Sequence, residues 1–372
     1  MSESVSLNLK AWRRFKRNKS AMGGLFFIGF CIVLAIFAYQ FTLDNTPDAN
    51  EQVLELETHP PGFETNFLKI KKAGFEKNEQ SFLDAFFNGT KSSSFLVPVV
   101  KVTTLKDSVL AEVYKGLQFP TELKIYAKNA IEMDGSNPSL LHRKFYLGTD
   151  RFGRDILSRL IIGVRVSLFV GLIAVVISLF IGIILGAFAG YFRGWVDEVI
   201  MWLINVFWAI PTLLLAMGLY IGIGGLVESK LLLIFIAVGL TMWVDVARLV
   251  RGQFISIRES EFVTASFSLG YSHMRTIFKH ILPNILGPIF VVASSNFANA
   301  ILVESGLSFI GLGIQPPAPS WGGMLNEYRD FIDSDKAFLA MAPGFAIMFL
   351  VLAFNLVGNG LRDAFDVKGK IE

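Results

Sequence analysis

The stretch EFVTASFSLGYSHMRTIFKHILPN (residues 261–284) decides how the chain is interpreted, because it is a short basic segment between two long apolar ones. Residues 261–269 suit a helix, Gly270 suits a break, and residues 272–281 suit a second helix that ends before Pro283. A simple loop needs no helix, and a soluble domain needs more residues. The pattern favours a small docking surface for a partner. The alternative is a hairpin that rests on lipid headgroups, which its basic residues also fit.

The rest of the chain is dominated by long apolar blocks. Of its 372 residues, 53% are hydrophobic and 17% are charged, whereas soluble domains are about 25% charged. A membrane span needs roughly 20 mostly apolar residues. Six segments reach or approach that length: residues 23–41, 166–192, 199–227, 231–250, 281–303 and 337–361. Because backbone groups in hydrocarbon must be paired internally, the sequence predicts an all-α polytopic membrane protein with six transmembrane helices.

Lysine and arginine in the short flanks predict the orientation of these helices. Residues 1–22 carry six basic residues, and basic residues also cluster in the segment between the fourth and fifth spans and after the last span. Such flanks face the cytoplasm. Both termini and the 261–284 segment are therefore predicted to be cytoplasmic. The first apolar run is longer than that of a cleaved signal peptide, so we expect a retained anchor.

The topology divides the chain into four parts. Residues 1–41 form a basic cytoplasmic N-terminus and the first helix, 42–146 an extracytoplasmic insertion, 147–367 a core of five helices, and 368–372 a tail. The core includes a cytoplasmic hairpin at 259–282. The insertion is predicted to be a small mixed α/β domain. Residues 94–105 form a strand that pairs with a strand at 122–130, and residues 78–89 form a short helix.

Residues 147–168 carry apolar side chains at helical spacing. They predict an amphipathic helix that lies along the outer interface before the second span, with Asp155 as its N-cap. Asp150, Arg154 and Asp155 are candidates for an extracytoplasmic gate or docking site. Turn and cap chemistry is the favoured interpretation of these three residues, because aspartate has a local hydrogen-bonding reason to occupy such positions.

The chain shows no signature of catalysis. It has no Gly-x-x-x-x-Gly-Lys-Ser/Thr loop, no Gly-x-Ser-x-Gly elbow and no zinc-ligand spacing. The sequence therefore predicts no catalytic residue, no metal site and no cofactor, and its single cysteine, Cys31, forms no intrachain disulfide. Asp245 and Arg248 lie three apart near the cytoplasmic end of the fourth span, where snorkelling or mutual pairing explains them. The absence of an acidic residue near the middle of any predicted span makes a proton-coupled carrier a weaker hypothesis.

The 261–284 segment resembles the coupling motif of membrane subunits of ABC-type importers. Thr264, Ala265 and Ser266 occupy its first triplet, Gly270 its glycine, and Leu282 and Pro283 its end. Three positions depart from the family pattern: Thr264 replaces an acidic residue, Ser266 an alanine and His280 an isoleucine. The resemblance implies that the first helix of the hairpin couples the chain to an ATPase.

Other stretches resemble the C-type permease of dipeptide, oligopeptide and nickel importers. They are AWRRFKRNKSA (11–21), LGTDRFGRDILSRL (147–160), GWVDEVIMW (194–202), ARLVRGQ (247–253), ESGLSFIGLGIQPPAPSWGGML (304–325) and LAFNLVGNGLRDAFD (352–366). The resemblance covers about 1–62 and 145–367, and not the insertion.

The resemblance to these permeases implies an importer in a bacterial inner membrane. Its partners would be a second homologous permease, two cytoplasmic ATP-binding subunits and an extracytoplasmic substrate-binding protein. The loop 313–323 is then expected to face the binding protein, because Pro316 and Pro317 stiffen it and Trp321 offers apolar contact area. An interfacial anchor is the alternative for Trp321.

Two other functions remain open from the residues alone. A channel or secondary carrier predicts charged rings or broken helices at a mid-membrane site, and Pro211, Pro283 and Pro288 are compatible with broken helices. A membrane-anchored scaffold predicts that the insertion is active by itself. Co-purification with an ATPase separates the importer from both. The substrate (a dipeptide, an oligopeptide, a nickel chelate, glutathione or an opine-like molecule) stays undetermined.

Overall fold

The computed structural model describes residues 7–72, 80–135 and 137–365. The α-helices are α1 (Leu7–Arg17), α2 (Lys19–Ile36), α3 (Ala38–Phe41), α4 (Phe82–Asn88), α5 (Ile156–Phe192), α6 (Gly194–Trp208), α7 (Thr212–Ile223), α8 (Lys230–Gly239), α9 (Trp243–Ile257), α10 (Glu261–Ser268), α11 (His273–Arg275), α12 (Leu286–Phe309), α13 (Trp321–Tyr328) and α14 (Phe338–Phe365). A π-helix (Thr276–Ile281) and a 3-10 helix (Leu282–Ile285) connect α11 to α12. The strands are β1 (Phe63–Lys71), β2 (Ser94–Thr104), β3 (Ser108–Val113), β4 (Glu122–Ala127), β5 (Met133–Asp134), β6 (Asn137–Pro138) and β7 (Leu140–Phe145).

The described part of the chain contains five helical segments long and apolar enough to span a membrane. They are Lys19–Ile36, Ile156–Phe192, Lys230–Ile257, His273–Phe309 and Phe338–Phe365. A sixth results if α6 and α7 count as one span, although they are bent by 97° relative to each other. Pro211, which lies in that break and has no backbone N–H, gives a local reason for it. The protein is therefore mostly helical, with five to six candidate spans.

The predicted amphipathic helix over residues 147–168 is wrong as a separate element. Residues from Ile156 onward belong to α5, which runs without interruption for 37 residues to Phe192. No glycine pair or proline separates the amphipathic part from the apolar part, so helical hydrogen bonding continues through both. The third predicted span differs too, because residues 199–227 contain the α6–α7 break.

The described part of the chain divides into two compact units. The first contains described residues of Met1–Ile32, Ser167–Ile314 and Phe345–Glu372, and the second contains those of Val33–Val166 and Gln315–Gly344.

In the first unit, α5 packs closely against α9. Gly182, Gly186 and Gly190 lie along one face of α5, and a Cβ at each would come within 2.4–2.6 Å of an atom of α9. Small residues four apart let two membrane helices approach closely. On another side of α9, Arg251 donates to both carboxylate oxygens of Asp197 in α6, at 2.5 and 2.6 Å. Two faces of α9 are thus occupied by neighbouring helices.

The second unit contains an antiparallel five-stranded sheet in the order β4-β3-β2-β1-β7. Its core consists of Leu68, Val99, Val109, Ala111, Val113 and Ile131. Strands occur where the sequence predicts them, but the predicted partner of β4 is wrong. Strand β4 pairs with β3, with Ile125 opposite Leu110, and β3 in turn pairs with β2. The short strand β3 follows β2 after a tight turn and takes the position beside it. Residues 78 and 79 of the predicted short helix lie outside the described residues, and α4 begins at Phe82.

Candidate functional site

The hairpin of residues 259–282 turns at Gly270, as predicted. Gly270 has φ +73°, a left-handed conformation that is favourable mainly for glycine. The N–H of Tyr271 donates to the carbonyl oxygen of Ser266 at 3.1 Å, which is the hydrogen bond that defines a Schellman motif at a helix C-terminus. Ser272 then caps α11, because its Oγ accepts from the N–H of Arg275 at 3.4 Å.

One face of α10 packs against other residues of the first unit. Val263 is fully buried in a cluster that includes Phe254 of α9 and Ile277 of the π-helical segment Thr276–Ile281, which follows α11. Ser266 is 4% exposed, and its Oγ lies 3.3 Å from Thr276 Oγ1. Val263 and Ser266, the second of which belongs to the motif's first triplet, therefore contact the rest of the hairpin and hold α10 against the spans.

The opposite face of α10 is exposed and carries three apolar side chains beside the polar side chains of Glu261 and Ser268. Ala265 is exposed, and it lies one helical turn from Phe262, which is 44% exposed, and from Leu269, which is 69% exposed. Residues three and four apart share one face of a helix. We call Phe262 and Ala265, together with Leu269 directly after the last residue of the helix, the outer face of α10. Thr264 is also exposed and borders this face. Contiguous exposed apolar side chains outside a span indicate an interaction surface.

Leu282 and Pro283, which the sequence grouped with this site, lie elsewhere. Leu282 is half-buried against the same apolar cluster as Val263. Pro283 is exposed and lines a cavity of about 580 Å³ whose other walls come from α1, α12 and α14. Of the residues matched to the family motif, Thr264, Ala265 and Gly270 are therefore at the exposed end of the hairpin.

Aromatic and basic side chains brace the second arm of the hairpin. Tyr271 stacks on His280, with ring centroids 5.3 Å apart, and the Arg275 guanidinium lies 4.1 Å from the centre of the Tyr271 ring. The sequence drew attention to His280 only as a departure from the family pattern. Tyr271 and Arg275 were missed, and their only sequence signal is an aromatic residue directly after the turn glycine.

The second predicted site, in the second unit, is a buried ion-pair cluster of Asp150, Arg154, Arg159 and Glu327. Asp150 Oδ1 accepts from the N–H groups of Phe152 at 2.8 Å and Arg154 at 3.0 Å, which is the predicted turn chemistry. Arg154 also donates through Nε to Asp150 Oδ2 at 2.6 Å and through Nη2 to Glu327 at 2.7 Å. Arg159 lies 3.4 Å from Glu327. The partners Arg159 and Glu327 were not predicted.

Asp155 is the N-cap of α5, as predicted. Its Oδ2 accepts from the N–H of Ser158 at 2.9 Å. Burial raises the pKa of the Asp155 carboxyl, while its hydrogen bonds with Ser158 oppose that rise. The residue therefore has a local structural role.

Trp321 is buried, at 2% exposure, and its indole Nε1 donates to the carbonyl oxygen of Leu160 at 2.9 Å. A Cβ at Gly163 would lie 2.9 Å from the indole ring, so this glycine makes room for it. The expectation that Trp321 offers exposed contact area is wrong. Pro316 and Pro317 are exposed, and docking through this loop stays a prediction that rests on them.

Two family models match the chain. The model of the binding-protein-dependent transport system inner membrane component matches residues 182–368. The model of the N-terminal TM domain of oligopeptide transport permease C matches residues 6–61.

Curated relatives are similar over most of their own length. The dipeptide transport system permease protein DppC of Alkalihalophilus pseudofirmus is 44% identical over 233 residues, which are 63% of this chain and 74% of that protein. The glutathione transport system permease protein GsiD of Pectobacterium atrosepticum is 40% identical over 247 residues, 66% of this chain and 79% of that protein. A solved structure of the MetNI methionine ABC transporter, in an inward-facing conformation, overlaps 55% of this chain and 95% of its own with a TM-score of 0.48 and 18% identity.

The family match extends from the second apolar block through the hairpin to the end of α14. It therefore includes α10 and Gly270, and the sequence relatives are transport permeases rather than enzymes. This chain belongs to the family of binding-protein-dependent transport system inner membrane components, and it is a C-type permease subunit of an ATP-driven importer.

Proposed function

We propose that the outer face of α10 docks into a groove of a cytoplasmic ATPase subunit and transmits its closure to the spans. The observation that carries this proposal is the division of α10 into two faces. Phe262 and Leu269 are exposed on one face, while Val263 on the other is fully buried against α9 and the π-helical segment Thr276–Ile281 that leads into α12. A force applied to the outer face therefore reaches two span-length segments through packed side chains, as a rigid-body switch requires.

We infer an orientation with both termini in the cytoplasm, six spans if α6 and α7 count as one, and multi-pass insertion in a bacterial inner membrane. The basic residues support it, since α1 has Arg14, Lys16 and Arg17 in its last turn and α11 contains Arg275. Such clusters are typical of the cytoplasmic side. The partners are a second homologous permease, two ATP-binding subunits and an extracytoplasmic substrate-binding protein.

The same topology places the insertion of residues 42–146 outside the cytoplasm, as a small α/β domain before the five-helix core of 147–367. Its five-stranded sheet and the loop that contains Pro316 and Pro317 face the binding protein in this arrangement. The short tail 368–372 lies outside the described residues. The substrates are peptides or similar small solutes, in line with the dipeptide and glutathione permeases among the relatives.

The test compares two substitutions that add the same charge to neighbouring exposed positions. Ala265→Glu places a carboxylate at the centre of the apolar outer face, where docking leaves it desolvated without a partner. Thr264→Glu adds the same group at its border, at the position where the family carries an acidic residue. We expect Ala265→Glu to weaken the docking contact at least tenfold, equivalent to about 1.4 kcal/mol, and Thr264→Glu to retain uptake.

The measurements are co-purification with the ATPase subunits, ATP hydrolysis and substrate uptake in vesicles that contain the complete importer. Normal co-purification and normal uptake by Ala265→Glu would contradict the docking proposal and would favour a hairpin that rests on lipid headgroups.

A further inference from the structure

The exposed side of α9 is polar, although α9 belongs to a candidate membrane span. Its exposed or half-exposed residues include Asp245, Arg248, Gly252 and Ser256, at spacings of three, four and four, which is the spacing of one helix face. We call these four residues the polar stripe. A face that meets lipid is apolar, and ionisable residues in spans almost always face a bundle interior or a water-filled cavity.

The structure changes the interpretation of Asp245 and Arg248 that the sequence favoured. They lie in the candidate span Lys230–Ile257, where Asp245 is near the middle and not at an end. Within the described residues, neither of them forms an ion pair. Arg248 instead lies over the ring of Trp208, 4.1 Å from its centre, and Asp245 is exposed. Neither snorkelling at a helix end nor mutual pairing explains the two charges.

The surroundings of the stripe have the character of a transport site. Trp208 is the last residue of α6 and adjoins the 97° break between α6 and α7. Broken helices near the middle of a membrane mark substrate sites in many transporters. The other faces of α9 are packed against α5, α6 and α12, whereas a Cβ at Gly252 would meet no atom within 4 Å. The stripe thus borders open space.

We infer that the polar stripe lines the translocation pathway and that Asp245 and Arg248 contact the two charged ends of a zwitterionic peptide. Side chains three apart on a helix have Cβ atoms about 5–6 Å apart, and an extended dipeptide spans about 7 Å. The carboxylate of Asp245 accepts hydrogen bonds from the substrate ammonium, and the guanidinium of Arg248 donates to the substrate carboxylate. Trp208 holds the guanidinium in place. This inference rests on the proposed peptide substrate and adds the residues that contact it.

The first experiment asks whether Asp245 borders water in the assembled importer. Asp245→Cys is treated with a charged, membrane-impermeant thiosulfonate, with Phe180→Cys as control, because Phe180 is an exposed apolar residue of α5 at 68% exposure. The native Cys31 is buried, so the unmodified chain serves as background. We expect Asp245→Cys to react and Phe180→Cys not to react. Failure of Asp245→Cys to react, or reaction only after the second permease is removed, overturns the inference in favour of a subunit interface.

The second experiment measures uptake of radiolabelled Ala-Ala and ATP hydrolysis stimulated by the loaded binding protein. We expect Asp245→Asn to reduce uptake about tenfold while it keeps the stimulated hydrolysis, and we expect Glu228→Gln, an exposed carboxylate between α7 and α8, to behave as the unmodified chain. Gly252→Phe should also block uptake, because it fills the open space without a clash inside this chain. Normal uptake by Asp245→Asn refutes the inference.

The two proposals fail in different ways. A failure of ATPase docking removes the stimulated hydrolysis, which the stripe variants keep. If the unmodified importer does not take up Ala-Ala, the peptide proposal fails, and thiol labelling still decides whether the stripe lines the pathway.

Discussion

Replacement of Gly270 by valine tests the hairpin through its backbone. Gly270 has φ +73°, and a Cβ there would meet no atom within 4 Å. The cost of a side chain is therefore conformational and not steric. For a residue other than glycine, the left-handed conformation costs roughly 1–2 kcal/mol, and a β-branched side chain is among the least tolerant. If the strain distorts the turn, the population of docking-competent hairpin falls by about 5- to 30-fold.

Gly270→Asn is the matched control, because asparagine adopts the left-handed conformation far more readily than valine does. We expect Gly270→Val to insert into membranes and to lose most coupling of uptake to ATP hydrolysis, and Gly270→Asn to keep most of it. Gly270→Asp should be intermediate. Uptake, ATPase activity and complex assembly are measured separately in vesicles. Equal coupling by Gly270→Val and the unmodified chain, with normal assembly, refutes the argument that the turn conformation matters.

Three further predictions concern other parts of the chain. Cysteines at the exposed positions Ser93 and Ser272 should be labelled from outside and inside the cell respectively, since the basic flanks set the orientation; external labelling of Ser272 contradicts that topology. A photo-crosslinker at Ala318 should capture the binding protein during turnover, and capture of lipid alone counts against docking through this loop. Glu327→Gln should lower the thermal unfolding midpoint, because loss of one partner of a buried ion pair costs about 3–5 kcal/mol. Glu132→Gln, which alters a partly exposed pair at 3.7 Å, should change the midpoint little, and equal shifts argue against the buried cluster.

Features that depend on neighbouring residues could be predicted from the sequence. The turn at Gly270 follows from its position between two helix-forming segments, and the cap at Asp155 follows from a short acidic side chain before an apolar helix. The strand at Ser94–Thr104 and the short helix Phe82–Asn88 follow from local pattern as well. The length of apolar runs alone indicates the membrane class and most of the candidate spans.

Features that depend on which distant elements pack together were decided only by the tertiary structure. Arg154 and Glu327 are 173 positions apart and meet in one buried cluster. Trp321 is buried because Gly163 leaves room for its ring, and β4 meets β3 instead of β2. The sequence shows that Asp245 and Arg248 share a helix face, but not that this face is left open. Which side of α9 is covered depends on the glycines of α5, on the ion pair with α6 and on the apolar contacts with α12. Exposure is a property of that packing.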